Sequence, residues 1–148
     1  MTLVFISALV IVSCKSVPKF SEVTGKEWLL KEIRTQGGVK ALYRSDIVRQ
    51  GFNESIFSLV LDAERISGMG APNRYFAPYT LGKKQSITIQ NIAGTLMAPL
   101  FELDVLKEHE YYTYLQNVYE WNLVNGQLEL YSKNTTSSST STLVFVQN

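Results

Sequence analysis

The single histidine of the chain, His109, stands between two carboxylates in Glu108-His109-Glu110, the residue types that general acid–base chemistry or a metal site would require. Neighbouring residues on a helix point in different directions, so this triplet does not converge on a metal ion or a proton, and a solvent-facing helix is the plainer reading. Serines are plentiful, but no G-x-S-x-G elbow surrounds any of them, so a Ser/His/Asp site has no local signature. Gly68 and Gly70 have the spacing of a phosphate-cradling turn, yet Pro72 follows and no helix starts there, which makes them bend glycines. Tyr75, Phe76, Tyr79, Tyr111, Tyr112, Tyr114, Tyr119, Trp121 and Tyr131 either fill a core or line a groove for a peptide, glycan or small apolar ligand; core packing is favoured. No catalytic residue, metal ligand or cofactor is assigned, and the chain reads as a non-enzyme.

One residue does have a chemical context. Cys14 follows the apolar run Leu3 to Val12 and the small Ser13. The run has the length of a secretory h-region and is too short to span a bilayer. Ile11-Val12-Ser13-Cys14 resembles a bacterial lipoprotein signal, which implies cleavage before Cys14, leaving it N-terminal and carrying lipid. The competing reading is a buried N-terminal strand with an incidental cysteine. No Lys or Arg precedes the apolar run as in the usual positive n-region, which leaves open a start further upstream. The expected organisation is a signal peptide over residues 1–13, a tether over 14–23 and one domain over 24–148, held at a membrane of the cell envelope through Cys14. Acyl burial contributes about 0.8 kcal/mol per methylene, so several chains on one cysteine would make a stable anchor.

The remaining composition narrows the class. With 148 residues the chain is of single-domain size, and a core of that size buries roughly two thirds of the unfolded surface. Hydrophobic residues at 45% and charged residues at 18% fit a globular domain and argue against disorder. A net charge of +1 with no basic stripe argues against nucleic acid as a partner. A lone cysteine excludes an internal disulfide and a cysteine-based zinc site within one chain.

The elements that must position any site are mostly strands. Lys26 to Arg34 alternates as a strand, with Trp28, Leu30 and Glu32 on one face, although a helix also fits. Val39 to Ile47 reads as a second strand and Ile56 to Leu61 as a core strand, with Asp62-Ala63-Glu64 turning back to Arg65-Ile66-Ser67. Ser67 to Tyr79 is a Gly/Pro-rich structured bend anchored by its aromatic residues, and Thr95 to Pro99 is a second bend expected against it. Ser86 to Ile92 alternates cleanly. Asp104 to Asn117 reads as the main helix, with Asp104 as its N-cap. Asn125-Gly126 joins Tyr119 to Val124 and Gln127 to Tyr131 in a hairpin, because a type I′ turn needs positive φ at both central residues. Asn134 to Thr142 is a Ser/Thr tract expected as a mobile loop, and Leu143 to Val146 closes the chain as a strand paired with Gln127 to Tyr131.

Five short motifs, taken in order, resemble the META domain family, which includes the HslJ-like heat-shock proteins: K-E-W-L-L around Trp28, S-G-M-G-A-P-N-R at Ser67 to Arg74, T-L-M-A-P at Thr95 to Pro99, Glu108 with Tyr111 to Leu115, and N-G-Q-L-E-L at Asn125 to Leu130. The resemblance covers nearly all of residues 24–148. It marks Trp28, Gly68, Gly70, Pro72, Asn73, Arg74, Tyr79, Thr95, Met97, Pro99 and Glu108 as motif residues with structural roles. It implies an α+β, mostly β domain: a curved antiparallel sheet or partial β-barrel with one main helix packed against it. The family pattern usually has cysteines where this chain has Pro72 and Pro99, so a disulfide or thiol role does not carry over. The prolines instead restrict the two bends, leaving Asn73 to hydrogen-bond local backbone. The resemblance implies association with stress response and the envelope rather than a reaction. The expected role is therefore a lipid-anchored envelope protein acting through contacts with other envelope proteins, with a small-ligand or peptide-binding module as the alternative.

Overall fold

Trp28, Leu30 and Ile33 are all buried, a spacing that strict alternation along one strand forbids. In the computed structural model, which describes residues 16–98, 102–134 and 137–148, strand β1 (Glu27–Thr35) resolves the conflict with a register shift between Leu30 and Glu32. The extra residue turns Ile33 inward and leaves Glu32 on the outer face beside Arg34.

The other strands are β2 (Gly38–Ala41), β3 (Ser58–Leu61), β4 (Arg65–Met69), β5 (Arg74–Leu81), β6 (Ile87–Ile89), β7 (Ala93–Gly94), β8 (Val118–Val124), β9 (Gln127–Lys133) and β10 (Thr140–Gln147). They pair antiparallel in the order β6-β5-β4-β3-β1-β10-β9-β8, with β2 beside β1 and β7 beside β5. The two ends of this path meet: Ser86 bridges Glu120, and Trp121 N–H donates to Gln85 O at 3.0 Å. The protein is thus mostly β, a nearly closed antiparallel barrel, as expected from the motifs.

Among the described residues two α-helices complete it, α1 (Arg44–Arg49) and α2 (Glu108–Gln116). The buried Tyr111 of α2 lies edge-on to Phe57 at 5.2 Å and to Tyr75 at 5.9 Å. Phe20, in a 3-10 turn at Phe20–Glu22, contacts Tyr79 at 5.6 Å and Trp121 at 5.1 Å, and Val23 beyond it is fully buried. Among the described residues no helix is long and apolar enough to cross a membrane.

Several expectations need correction. Val39 to Ile47 is not one strand: β2 ends at Ala41, and α1 follows because Arg44 turns in to donate to three backbone carbonyls. The main helix does not start at Asp104. Lys107 is its N-cap, since Glu110 reaches back to accept the Lys107 N–H at 2.9 Å; Leu103 and Leu106 are buried from the segment ahead of it. Ser67 to Tyr79 is not a long bend. It is the β4–β5 hairpin, with only residues 70–73 outside the strands. The Ser/Thr tract is not a loop throughout, because β10 begins at Thr140, paired with Lys133, and Asn134 N–H donates to Ser139 O at 2.9 Å. The Asn125-Gly126 hairpin is as expected, with φ of 51° and 76°, and Leu143 to Phe145 pairs with Leu128 to Leu130.

Candidate functional site

The four-residue turn between β4 and β5 satisfies Gly70 N–H internally, on Asn73 O at 2.6 Å, but leaves the N–H groups of Ala71 and Asn73 to find partners outside it, and the first residue of α2 supplies them. Glu108 Oε1 accepts from Ala71 N–H and Asn73 N–H, both at 2.7 Å, while Oε2 accepts from Asn73 Nδ2 at 2.7 Å. Asn73 passes the connection on. Its Oδ1 accepts from Thr95 Oγ1 at 2.8 Å and Met97 N–H at 2.7 Å, and its Nδ2 also donates to Met97 O at 3.1 Å. One carboxylate and one amide thus tie three segments, the 70–73 turn, the 95–97 bend and α2. The two bends are neighbours, as the sequence suggested.

Two glycines make room for this arrangement. A Cβ on Gly70 would stand 2.5 Å from both Glu108 Oε1 and Tyr112 Oη, and one on Gly68 would stand 2.0 Å from the Ser58 carbonyl oxygen. The same Ser58 oxygen lies 2.8 Å from Tyr75 Oη and 3.1 Å from Tyr111 Oη, with the two hydroxyls 3.0 Å apart. Burial pushes both phenols up, Tyr75 well above the ordinary tyrosine value, and burial followed by the Glu108 charge pushes Tyr112 up. These hydroxyls remain neutral donors at physiological pH.

The motif residues fall into two groups. Gly68, Gly70, Pro72, Asn73, Arg74, Thr95, Met97 and Glu108 gather at or beside the turn. Trp28 and Tyr79 stand apart: Trp28 Nε1–H donates to Val23 O at 2.9 Å, and the Tyr79 hydroxyl donates to Asp62 O. Cys14 and Pro99 lie outside the described residues. His109 is exposed on α2, away from the Glu108 contacts. Among the described residues no three of His, Cys, Asp and Glu come together to hold a metal.

Arg44 was not legible as a site residue. Its guanidinium donates to Ile56 O at 2.6 Å, Glu54 O at 3.0 Å and Leu30 O, and burial lowers its pKa. Its acceptors lie 10 to 14 residues away, beyond any local pattern. Of the aromatic residues, Tyr75, Tyr79, Tyr111 and Trp121 are buried in the core, whereas Phe76 is 51% exposed on the outer face of β5.

The arrangement is a latch whose polar atoms are occupied by one another. Every buried side-chain nitrogen and oxygen among the described residues has a hydrogen-bond partner. Three segments are fixed, and an apolar bend is displayed beside them: Leu96 is 100% exposed and Met97 55%.

A family model described as META domain matches residues 21–148. No curated protein matches the chain. Among solved structures, the chain is similar to one described as the NMR structure of the protein from Burkholderia xenovorans, with a TM-score of 0.61 and 19% identity over 86% of this chain and 85% of that one. That likeness concerns the fold alone.

Proposed function

The chain belongs to the META domain family, and from that premise we propose that it is a non-enzymatic, lipid-anchored protein of the cell envelope that works through protein contacts and supports the envelope under stress. The observation that carries the contact reading is the 95–97 bend. Leu96 and Met97 are exposed, yet the Met97 backbone is held through Asn73 to Glu108, and Thr95 on the other side of Leu96 bonds Asn73 as well. Apolar side chains held rigidly in water favour a docking role over a loose connection. Phe76 adds to the same region, since β5 pairs it with Ala93 just before the bend.

The latch favours structure over catalysis. Both carboxylate oxygens of Glu108 accept hydrogen bonds within the fold, and His109 points elsewhere, so no base stands beside a free nucleophile there. A small-ligand groove draws less support, because four of the aromatic residues that would line it, Tyr75, Tyr79, Tyr111 and Trp121, are packed in the core. The anchor rests on the order of apolar run, Ser13 and Cys14.

The test uses intact cells and the full chain with a photo-crosslinking residue at position 96, and a second at exposed Lys133 as control. The expected result is one envelope protein captured from position 96 only, and lost with Asn73→Ala, which releases the bend. Capture that is the same from both positions, or none from position 96, overturns the contact reading. Metabolic labelling with a clickable fatty acid addresses the anchor: label on the wild type but not on Cys14→Ser supports it, and equal labelling removes it.

A further inference from the structure

Along β5, Tyr75, Ala77 and Tyr79 are buried, so Arg74, Phe76 and Pro78 project from the outer face. The antiparallel partner β4 sets Met69 opposite Arg74, Ser67 opposite Phe76, and Arg65 opposite Pro78. Two arginines therefore stand at opposite corners of one patch, about 13 Å apart along the strands, because four residues separate their levels. Between them lies the cross-strand row Glu27, Val60, Ser67 and Phe76. These residues line one open groove, with Asn53 and Ser55 at its Arg74 end.

The groove is unusual in its charge. Neither Arg65 nor Arg74 makes an ion pair among the described residues, whereas Arg34 of β1 and Arg49 of α1 do. Phe76 is half exposed, and Met69 and Val60 are partly covered. Two guanidiniums without an ion-pair partner flank the exposed Phe76, and they present a complementary template: two carboxylates flanking an apolar side chain.

An extended peptide alternates its side chains with the same period as the sheet, so its positions i, i+2 and i+4 share one face and span the same about 13 Å. We infer that the outer face of β3, β4 and β5 is a docking groove for an extended acidic segment of a partner protein, in which two carboxylates four residues apart flank one apolar side chain. Glu27 favours this occupant over a uniformly charged polymer. It lies on the central row, level with Phe76, and repels an anion there while leaving both arginine corners attractive. Its own carboxylate accepts from Asn148 Nδ2 at 2.6 Å, which holds it in place.

The inference rests on the protein-contact reading and names the partner's chemistry. The groove adjoins the apolar bend through Thr95 N–H, which donates to Arg74 O at 3.0 Å.

The experiment measures fluorescence anisotropy of a labelled synthetic nonapeptide with Glu, Leu and Glu at alternate positions in a Ser/Thr background, titrated with the full purified chain at low salt. The expected result is saturable binding that weakens as salt rises. Joint substitution Arg65→Gln and Arg74→Gln should weaken it by about tenfold or more, consistent with losing two charge-assisted contacts. Phe76→Ser should weaken it by about threefold or more. Since all three side chains are exposed, an unchanged melting temperature shows that the fold persists. A peptide with Gln for both Glu should lose binding, and one with Glu also at the centre should bind less well. Equal binding by the double arginine variant, or tighter binding by the uniformly acidic peptide or by an oligogalacturonate, overturns the inference. Peptide binding without capture from position 96 in cells keeps the groove and removes the envelope-contact reading; capture without peptide binding does the reverse.

Discussion

Asn73 donates its side-chain amide to Glu108 Oε2 at 2.7 Å while its own backbone N–H donates to Oε1 of the same carboxylate, also at 2.7 Å. The pair is 35 residues apart in sequence and joins the β4–β5 turn to the start of α2. A carboxylate suits the position because all three of its contacts, Ala71 N–H included, donate to it, and an ionised carboxylate only accepts. Glu108→Gln keeps one accepting oxygen but sets its amide nitrogen against Asn73 Nδ2, donor facing donor. The Asn73 amide cannot simply flip, since its Oδ1 already accepts from Thr95 and Met97. The expected loss is about 2 kcal/mol of stability, measured as a lower urea midpoint at unchanged slope. In a double-mutant cycle with Asn73→Ala the two losses should be strongly non-additive. An unchanged midpoint for Glu108→Gln would mean that the latch adds nothing to stability.

The two motif glycines should respond unequally to a methyl group. At Gly68 the obstacle is the backbone oxygen of Ser58, 2.0 Å from where a Cβ would stand, so the strands themselves must separate. At Gly70 the obstacles are the ends of the Glu108 and Tyr112 side chains, which can swing away at the expense of the latch. Gly68→Ala should cost about 3 kcal/mol or more, and Gly70→Ala less. Thermal melts of the two variants side by side check the order, and a reversed order would sink the explanation.

These contacts also show what a sequence can and cannot convey. Asn125-Gly126 announced its hairpin because both residues must take positive φ, and they do. Ile87 and Ile89 announced β6 by alternation, and both are buried. Lys31 gave no sign that a bulge would shift the phase of β1, because a bulge is set by the partner strand β10. α1 has six residues with only Ile47 buried, too few for a helical period to emerge. The start of α2 was misplaced because Asp104 and Lys107 both precede acidic residues; the choice is made by Glu110, while Glu108 is drawn off to the distant turn. Glu108 and Asn73 were picked out only through the family motifs, and no local pattern could have paired them.

The buried phenols give a prediction in pH. Free tyrosine titrates near pH 10, whereas burial raises Tyr75 and Tyr111, and burial together with hydrogen bonding to Glu129 pushes Tyr131 up to about 12. Above about pH 10 the unfolded chain releases phenolic protons that the folded chain retains, so the unfolded state binds fewer protons and stability falls as pH rises. Below that pH the contribution is fully present. Urea midpoints measured between pH 8 and pH 12 should be flat at first and then decline. Tyr75→Phe should start lower, having lost its contact with Ser58 O, and decline less steeply. Equal alkaline slopes for the two proteins would rule out Tyr75 as a source of the effect.

Arg44 offers the sharpest separation of charge from geometry. Its two terminal nitrogens reach Leu30 O, Glu54 O and Ile56 O, so a single planar fork joins α1 to β1 and to the segment leading into β3. No carboxylate pairs with it among the described residues, and burial lowers its pKa, so charge is not what the site rewards. Lysine keeps the charge but has one compact ammonium on a flexible stem, which cannot address the three carbonyls in the same fixed geometry. Arg44→Lys should therefore cost about 2 kcal/mol, close to the loss for Arg44→Gln. Hydrogen exchange should localise the damage, with amides of α1 and of Ile56 and Phe57 opening faster while β8 and β9 keep their protection. A variant as stable as the wild type would show that charge alone suffices at this position.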